Sequence, residues 1–428
     1  MRVELRGELK SRSAYLDGLA AVRQLDALGV DRPILLAYHP VARLNPFQAL
    51  LYGAAWGAGV APLPMVSLAE LDGVAGLASL GVQVVLHLHW TNTVLAGVPS
   101  DGAAVATAEF LARLDRFRAA GGRLVWTVHN VLPHDSVRPA DEVALQQAIL
   151  DRADAVHILA ADTPAAVAGY FALPPGRTFH VPHPSYVGAY ETTLSREEAR
   201  YQLDIDVDDF VYALVGAIKP YKGLDDLLTA FDALYAEDPR RRLVVAGPPD
   251  HEAVATAFVR RCERHPGILV RAARISATEM PVYLRAADVV VLPYRRTLNS
   301  GVLLLAYTFG LPVVAPDVPG IAELLGPDTS RSFSPGDAAD LARAMREVAD
   351  LAGPTSAART RAATLAIARE RTPERISPAF FAALRERLDA AVGPAAVPPV
   401  AQAAPAVPAV PLHPAAGNVG PGSGGAPG

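Results

Sequence analysis

The sequence predicts two consecutive α/β domains, each built on a parallel sheet. Three observations carry that expectation. The chain has 428 residues, and at roughly 100–200 residues per domain that length suits two domains better than one. Short β-rich runs alternate with amphipathic stretches, the signature of βαβ units. The alternation occurs twice, on either side of a polar, acidic interruption from Ser185 to about Asp209. Composition narrows the function classes. A chain that is 51% hydrophobic and 19% charged is not disordered throughout. A net charge of −5 argues against a nucleic-acid binder driven by bulk positive charge. Cys262 is the single cysteine, which excludes an internal disulfide and a cysteine-rich metal site and is consistent with a reducing compartment.

In chain order, the first set of strands is Pro33–Tyr38, Val82–His89, Leu124–His129, Ala155–Ala160 and Thr178–Val181. Helices are expected at Pro46–Ala58, Ala103–Ala119, Asp141–Arg152 and Thr163–Phe171. The continuous apolar run from Val82 to Leu86 fits a strand covered on both faces. Ser195 followed by Glu198 has the spacing of a capping box, so a short helix is expected there. The second set of strands is Phe210–Val215, Leu243–Ala246, Ile268–Val270, Asp288–Leu292, Val313–Ala315 and Ser330–Phe333. Its helices are Gly223–Tyr235, Glu252–Arg264, Thr278–Arg285, Val302–Phe309, Ala338–Asp350 and Ala357–Arg371. The expected organisation is a domain over 1–190, a linker over 191–209, a domain over 210–372, a C-terminal helix over 373–392 and a tail over 393–428. That tail has no Asp, Glu, Lys or Arg, and proline recurs every few residues. Such a segment builds no packed core and reads as disordered. The N-terminus lacks the apolar region of a signal peptide, and no run of about 18 apolar residues exists. A cytoplasmic protein is expected, resting at most on the inner face of a membrane. Arg113, Arg116 and Arg118 on one helix form a small basic patch for such a contact.

In open α/β sheets ligands sit beyond the carboxyl ends of the strands, so the loops there are read for chemistry. The run Gly216-Ala-Ile-Lys-Pro-Tyr-Lys222-Gly223 follows a strand and opens a helix. Lys219 and Lys222 beside free helix N–H groups make an anion site, or else an ordinary solvated loop. In Leu292-Pro-Tyr-Arg-Arg-Thr-Leu-Asn-Ser-Gly301, the loop carries Arg295 and Arg296, and Asn299, Ser300 and Gly301 start a helix. Asn and Ser cap helices and Gly admits close approach to backbone, which suits a diphosphate or a plain cap. Glu323, in Pro319-Gly-Ile-Ala-Glu323, either accepts sugar hydroxyls or complements a helix dipole. Histidines gather at strand ends: His87 and His89 share a strand face, His129, His134 and Asp135 follow another strand, and His180 and His183 a third. No HExxH spacing occurs, and no metal is expected.

Taken together, G-x-x-x-P-x-K-G, then Pro-Tyr…Ser-Gly…Gly-Leu-Pro-Val-Val-Ala, then Pro-Gly-Ile-Ala-Glu-Leu, across about residues 210–325, resemble the donor domain of GT-B glycosyltransferases, family 4-like. His-Leu-His-Trp90 and the run from Trp126 to His134 resemble a bacterial subgroup that makes exopolysaccharide or glycolipid sugars, including β-mannosyltransferases. The resemblance implies two Rossmann-like domains facing across a cleft. It implies a nucleotide-diphosphate sugar donor, a GDP- or UDP-sugar, and a glycan or lipid-linked acceptor, with no further cofactor. It places Lys222 on the donor diphosphate and Glu323 near the donor. Where the family usually has arginine after Gly216 this chain has Ala217, for which Lys219 substitutes. The family's two glutamates, with seven residues between them, correspond here to Thr297 and Leu305, which leaves retaining stereochemistry unsupported. An inverting route needs a base for the acceptor hydroxyl, and a histidine with a pKa near neutrality suits it.

The function expected is therefore sugar transfer from a nucleotide-diphosphate sugar. His129 contacts the transferred sugar or acts as base, with His89 and Asp135 as second choices. Lys219, Lys222, Asn299, Ser300, Gly301, Glu323, Arg274 and Arg295 are the expected donor residues, and loop shape around Arg274 and Ile275 sets nucleotide choice. Two rivals stand beside this reading: a nucleotide-sugar epimerase, and a non-catalytic GT-B subunit or glycan-binding partner motivated by the missing glutamates.

Overall fold

A computed structural model describes residues 13–42, 45–132, 138–250 and 252–390. The expected tail over 393–428 lies outside the described residues. Two six-stranded sheets form, and every strand pair in them is parallel. The first comprises β1 (Ile34–His39), β2 (Val60–Pro64), β3 (Gln83–Leu88), β4 (Arg123–Val128), β5 (Ala155–Ile158) and β6 (Thr178–His180). Its order is β2-β1-β3-β4-β5-β6. The second comprises β7 (Phe210–Val215), β8 (Arg241–Ala246), β9 (Ile268–Arg271), β10 (Val289–Val291), β11 (Val313–Pro316) and β12 (Ser330–Phe333). Its order is β12-β11-β10-β7-β8-β9.

Side-chain alternation along the strands fills both faces of each sheet. On β4, Leu124, Trp126 and Val128 enter one core, while Val125 enters the other. On β7, Tyr212 and Leu214 point to one face and Val211, Ala213 and Val215 to the opposite one. Burial on both faces is why these strands are nearly continuous apolar runs.

Three features differ from the sequence expectation or sharpen it. β2 was not foreseen, because Pro62 and Pro64 lie within it. It is an edge strand paired only to β1, where a missing N–H is tolerated. Helix Arg196–Leu203 begins with the expected capping box of Ser195 and Glu198 and is bound to the second sheet by Arg200. That buried guanidinium donates to the Ala286, Asp206, Val207 and Asp209 carbonyls and to the Asp288 carboxylate. Helix Pro373–Ala390 returns to the first sheet, burying Ile376, Phe380, Phe381, Leu384 and Leu388 against β1, β3, β4 and β5 residues. Ser377 fixes it by donating to the Leu51 carbonyl and accepting from Ala54 N–H.

The carboxyl ends of the two sheets are tied directly. Asn299 Nδ2 donates to the His129 carbonyl at 2.6 Å, and Gly320 N–H donates to both Asp162 oxygens at 2.9 and 2.8 Å. Leu298 inserts into the first domain's core. No described helix is long and apolar enough to cross a membrane. In the arginine patch, Arg116 pairs with Asp72 and Arg118 with Asp154.

Candidate active site

A cavity of about 430 Å³ opens where these strand ends meet. The first domain contributes His89 and Trp90 after β3, Trp126, His129 and Asn130 at the end of β4, and His183 beyond β6. The second contributes Lys219 after β7, and Asn299 and Gly301 after β10. Gln146 also lines it, and its Oε1 is buried without a hydrogen-bond partner among the described residues. A buried acceptor of that kind costs about 1–3 kcal/mol until a donor reaches it, so it fits a ligand hydroxyl.

His129 is 6% exposed. Its ring stacks on Trp90 at 4.4 Å between centroids, with Phe47 edge-on at 5.1 Å. Nε2 lies 3.0 Å from His89 Nδ1. Burial, reinforced by repulsion from His183, His157 and His87, holds its pKa well below the ordinary 6.5. Burial does the same to His89. His183 is pushed down to about 4, again chiefly by burial. Its Nδ1–H donates to its neighbour Pro184's carbonyl, which leaves Nε2 as an acceptor. The cavity is therefore lined by neutral imidazoles at pH 7.

On the opposite wall, Ser300 caps helix Gly301–Thr308 by accepting from Leu303 N–H. Gly301 is required for space: a Cβ there would collide with the Tyr186 hydroxyl. Its absence opens the positive end of the helix to the cavity. Lys222 follows the tight turn after β7. It is 4% exposed, and its Nζ sits 5.5 Å from the Tyr294 ring centroid. Burial, then repulsion from Lys219, brings its pKa down to about 8. Gly223 next to it has φ +64°, and a Cβ would strike the Pro293 carbonyl. The turn is thus held tightly against the loop after β10.

The structure gathers His129, His89, Lys219, Asn299 and Gly301 around the cavity, whereas Ser300 and Lys222 are buried and do not line it. Other expected donor residues sit elsewhere. Arg295 makes a two-point ion pair with Asp226 and lines an adjoining cavity of about 210 Å³ with Tyr170, Leu298 and Pro319. Glu323 pairs with Arg371 at 2.9 Å. Arg274 is exposed. Asp135 lies outside the described residues. Thr297 lines the adjoining cavity, and Leu305 is buried. Sequence reasoning did not single out Gln146 or Tyr52, and it used Trp90 only as part of a family motif. Gln146 lies on helix Pro139–Arg152 and Tyr52 just past helix Phe47–Leu51, where nothing in the residue pattern separates a site role from packing.

Two parallel-sheet domains that meet over a cleft with a cationic wall and a helix N-terminus constitute the GT-B architecture of nucleotide-sugar glycosyltransferases. Solved structures share that fold. Sucrose-phosphate synthase from Thermosynechococcus elongatus superposes with a TM-score of 0.60 over 84% of this chain and 100% of that one, at 18% identity. HepE from Anabaena, in complex with UDP and glucose, gives 0.61 over 83% and 100%, at 16% identity. Residues 209–350 match the family described as glycosyl transferases group 1. A GDP-mannose:glycolipid 4-beta-D-mannosyltransferase of Xanthomonas campestris pv. campestris is 31% identical over 294 residues, 67% of this chain and 75% of the relative. A D-inositol 3-phosphate glycosyltransferase of Geodermatophilus obscurus is 31% identical over 273 residues, 62% and 60% respectively. The chain belongs to the group 1 glycosyl transferases. It is a glycosyltransferase that uses a nucleotide-sugar donor and a glycan or glycolipid acceptor, which favours transfer over both rival readings.

Proposed function

We propose that the protein transfers mannose from GDP-mannose to a lipid-linked glycan, with His129 as the base. The cavity carries this reading: it sets a neutral histidine from one domain opposite a lysine and a helix N-terminus from the other. Lys219, Lys222 and the Asn299–Gly301 helix start hold the donor diphosphate and stabilise charge as it leaves. The acceptor hydroxyl gives its proton to His129 while its oxygen bonds to the anomeric carbon. The bond from that carbon to the diphosphate oxygen breaks, and its electron pair departs with GDP. Holding both substrates in one cavity supplies the positional part of catalysis, and Gln146 Oε1 accepts a sugar hydroxyl. The missing glutamate pair at Thr297 and Leu305 is compatible with this inverting route, and the mannosyltransferase relative supports GDP-mannose as donor. An acceptor carried on a lipid requires at least a transient approach to a membrane surface.

A thermal-shift screen with GDP, UDP, GDP-mannose and UDP-glucose tests the donor. A ligand at a hundred times its dissociation constant stabilises by about 2.7 kcal/mol. GDP and GDP-mannose are expected to raise the melting temperature and the uridine compounds to leave it unchanged; the reverse result would reassign the donor.

A further inference from the structure

Behind the cavity a single file of hydrogen bonds runs through the first domain. His129 Nε2 is 3.0 Å from His89 Nδ1. His89 Nε2 is 2.6 Å from the Tyr52 hydroxyl, which is 2.8 Å from His87 Nδ1. His87 Nε2 is 2.7 Å from Thr127 Oγ1, and that hydroxyl is 3.0 Å from His157 Nδ1. The file ends where His157 Nε2 meets the Val181 carbonyl oxygen at 2.8 Å. All six side chains are buried. Phe380 of the returning helix stacks on His87 and packs against His157, sealing the file from the side. No carboxylate or cationic side chain takes part in it.

With neutral imidazoles, one arrangement of protons satisfies every link. A carbonyl only accepts, so His157 carries its proton on Nε2 and has a lone pair on Nδ1. Thr127 must then donate to His157 and accept from His87 Nε2–H. His87 Nδ1 is left as an acceptor, so Tyr52 donates to it and accepts from His89 Nε2–H. His89 Nδ1 is an acceptor in turn and takes the proton of His129 Nε2–H. Reversing the file would set the His157 Nε2 lone pair against the Val181 carbonyl at 2.8 Å, two acceptors face to face. Burial, the largest cause in each case, keeps His87, His89, His129 and His157 uncharged at neutral pH.

We propose that this anchored file fixes the tautomer of His129, with its proton on Nε2 and its lone pair on Nδ1, so that the ring lining the cavity is presented as a proton acceptor. Tyr52, His87, Thr127 and His157 are then positioning residues: none lines the cavity, and each acts through the next. The consequence for transfer rests on the proposed role of His129 as base. As Nδ1 takes the acceptor's proton, Nε2–H strengthens its bond to His89, and the aligned bonds beyond polarise in the same sense. No proton leaves by this path, because the Val181 carbonyl cannot carry one onward.

The test is a two-bond ¹H–¹⁵N correlation spectrum of the full chain labelled with ¹⁵N-histidine, at neutral pH without ligand, His129 being identified by its loss in His129→Gln. The wild-type ring is expected as the Nε2–H tautomer. Thr127→Val keeps the shape but removes the link, so His87 Nε2–H would face a methyl group. The other tautomer of His87 leaves only a lone pair there, and a buried N–H without a partner is less well tolerated than an acceptor without one. The proton shift passes through Tyr52 and His89, and His129 becomes mainly Nδ1–H. Thr127→Ser restores Nε2–H. Tyr52→Phe breaks a different link and is expected to move the His129 proton in the same direction. A wild-type His129 protonated on Nδ1 or on both nitrogens, or a His129 unmoved in either folded variant, overturns the proposal. The spectrum reads the free protein, so it stands apart from whether GDP-mannose is the donor or His129 the base.

Discussion

Lys222 is a lysine whose surroundings oppose its charge. With its pKa brought to about 8 by burial and by Lys219, about half the molecules carry a neutral Lys222 at pH 8. A bound diphosphate would supply the missing counter-charge and raise that pKa. GDP binding at pH 8 is therefore expected to take up roughly half a proton, measurable by calorimetry in buffers of different ionisation enthalpy. Lys222→Arg should abolish the uptake, and unchanged uptake in that variant would place the diphosphate elsewhere. His129 carries the second prediction at this scale. A base is active when unprotonated, so activity falls as pH drops through its pKa. Sequence alone suggests an acid limb near the ordinary ~6.5. Burial lowers the pKa, so the limb is expected on the acid side of that ordinary value. His129→Ala should reduce kcat and remove the limb while GDP affinity survives, because the proposed diphosphate contacts belong to the other domain. Persistence of the limb in the variant would make His129 a sugar contact rather than the base.

Among the elements, helix Pro373–Ala390 does more than end the fold. Phe380 is fully buried and touches Tyr52, His87, His157 and Phe179. Phe380→Ala is expected to cost about 3–5 kcal/mol in chemical denaturation, and a loss under 1 kcal/mol would mean that the first domain holds the histidines without this helix. This return was not legible in the sequence. The helix itself was, because its apolar positions recur at helical spacing. Nothing in that spacing says which of two sheets it covers. Eleven of the twelve strands were legible, since a strand buried on both faces reads as an apolar run; β2 was masked by Pro62 and Pro64. At the site, the strand-end rule located His89, His129, Lys219, Asn299 and Gly301. Glu323 and Arg295 were read as donor ligands because their loops follow strands. Their engagement by Arg371 and Asp226 depends on residues 48 and 69 positions away in sequence, which no local pattern reveals.

Across the whole molecule, the cleft side of the first domain is built on uncharged imidazoles, and this sets its response to acid. His87, His89, His129, His157 and His183 all have pKa values lowered chiefly by burial, His157 to about 3 and His183 to about 4. Unfolded, each would titrate near ~6.5. Between the unfolded and folded values the unfolded chain binds more protons, so stability falls as pH falls. The contribution is fully present above about pH 6.5 and drains away toward the folded pKa values, as far as about 3 for His157. Each extra proton bound on unfolding costs about 1.4 kcal/mol per pH unit. Urea unfolding at pH 7, 6 and 5 should therefore show a falling midpoint, with a slope between pH 6 and 5 of at least two protons. Carboxylates contribute little there, because their unfolded values lie near 4. Lys222 acts on the alkaline side. Its folded value of about 8 lies below its ordinary 10.5, so its burial penalises the fold at neutral pH and is relieved as pH rises from 8 toward 10.5. A midpoint that stays level from pH 7 to 5 would mean that the histidines are charged or solvated in the folded protein. The single proton arrangement of the file from His129 to Val181 would then be lost as well, since it requires every imidazole in the file to be neutral.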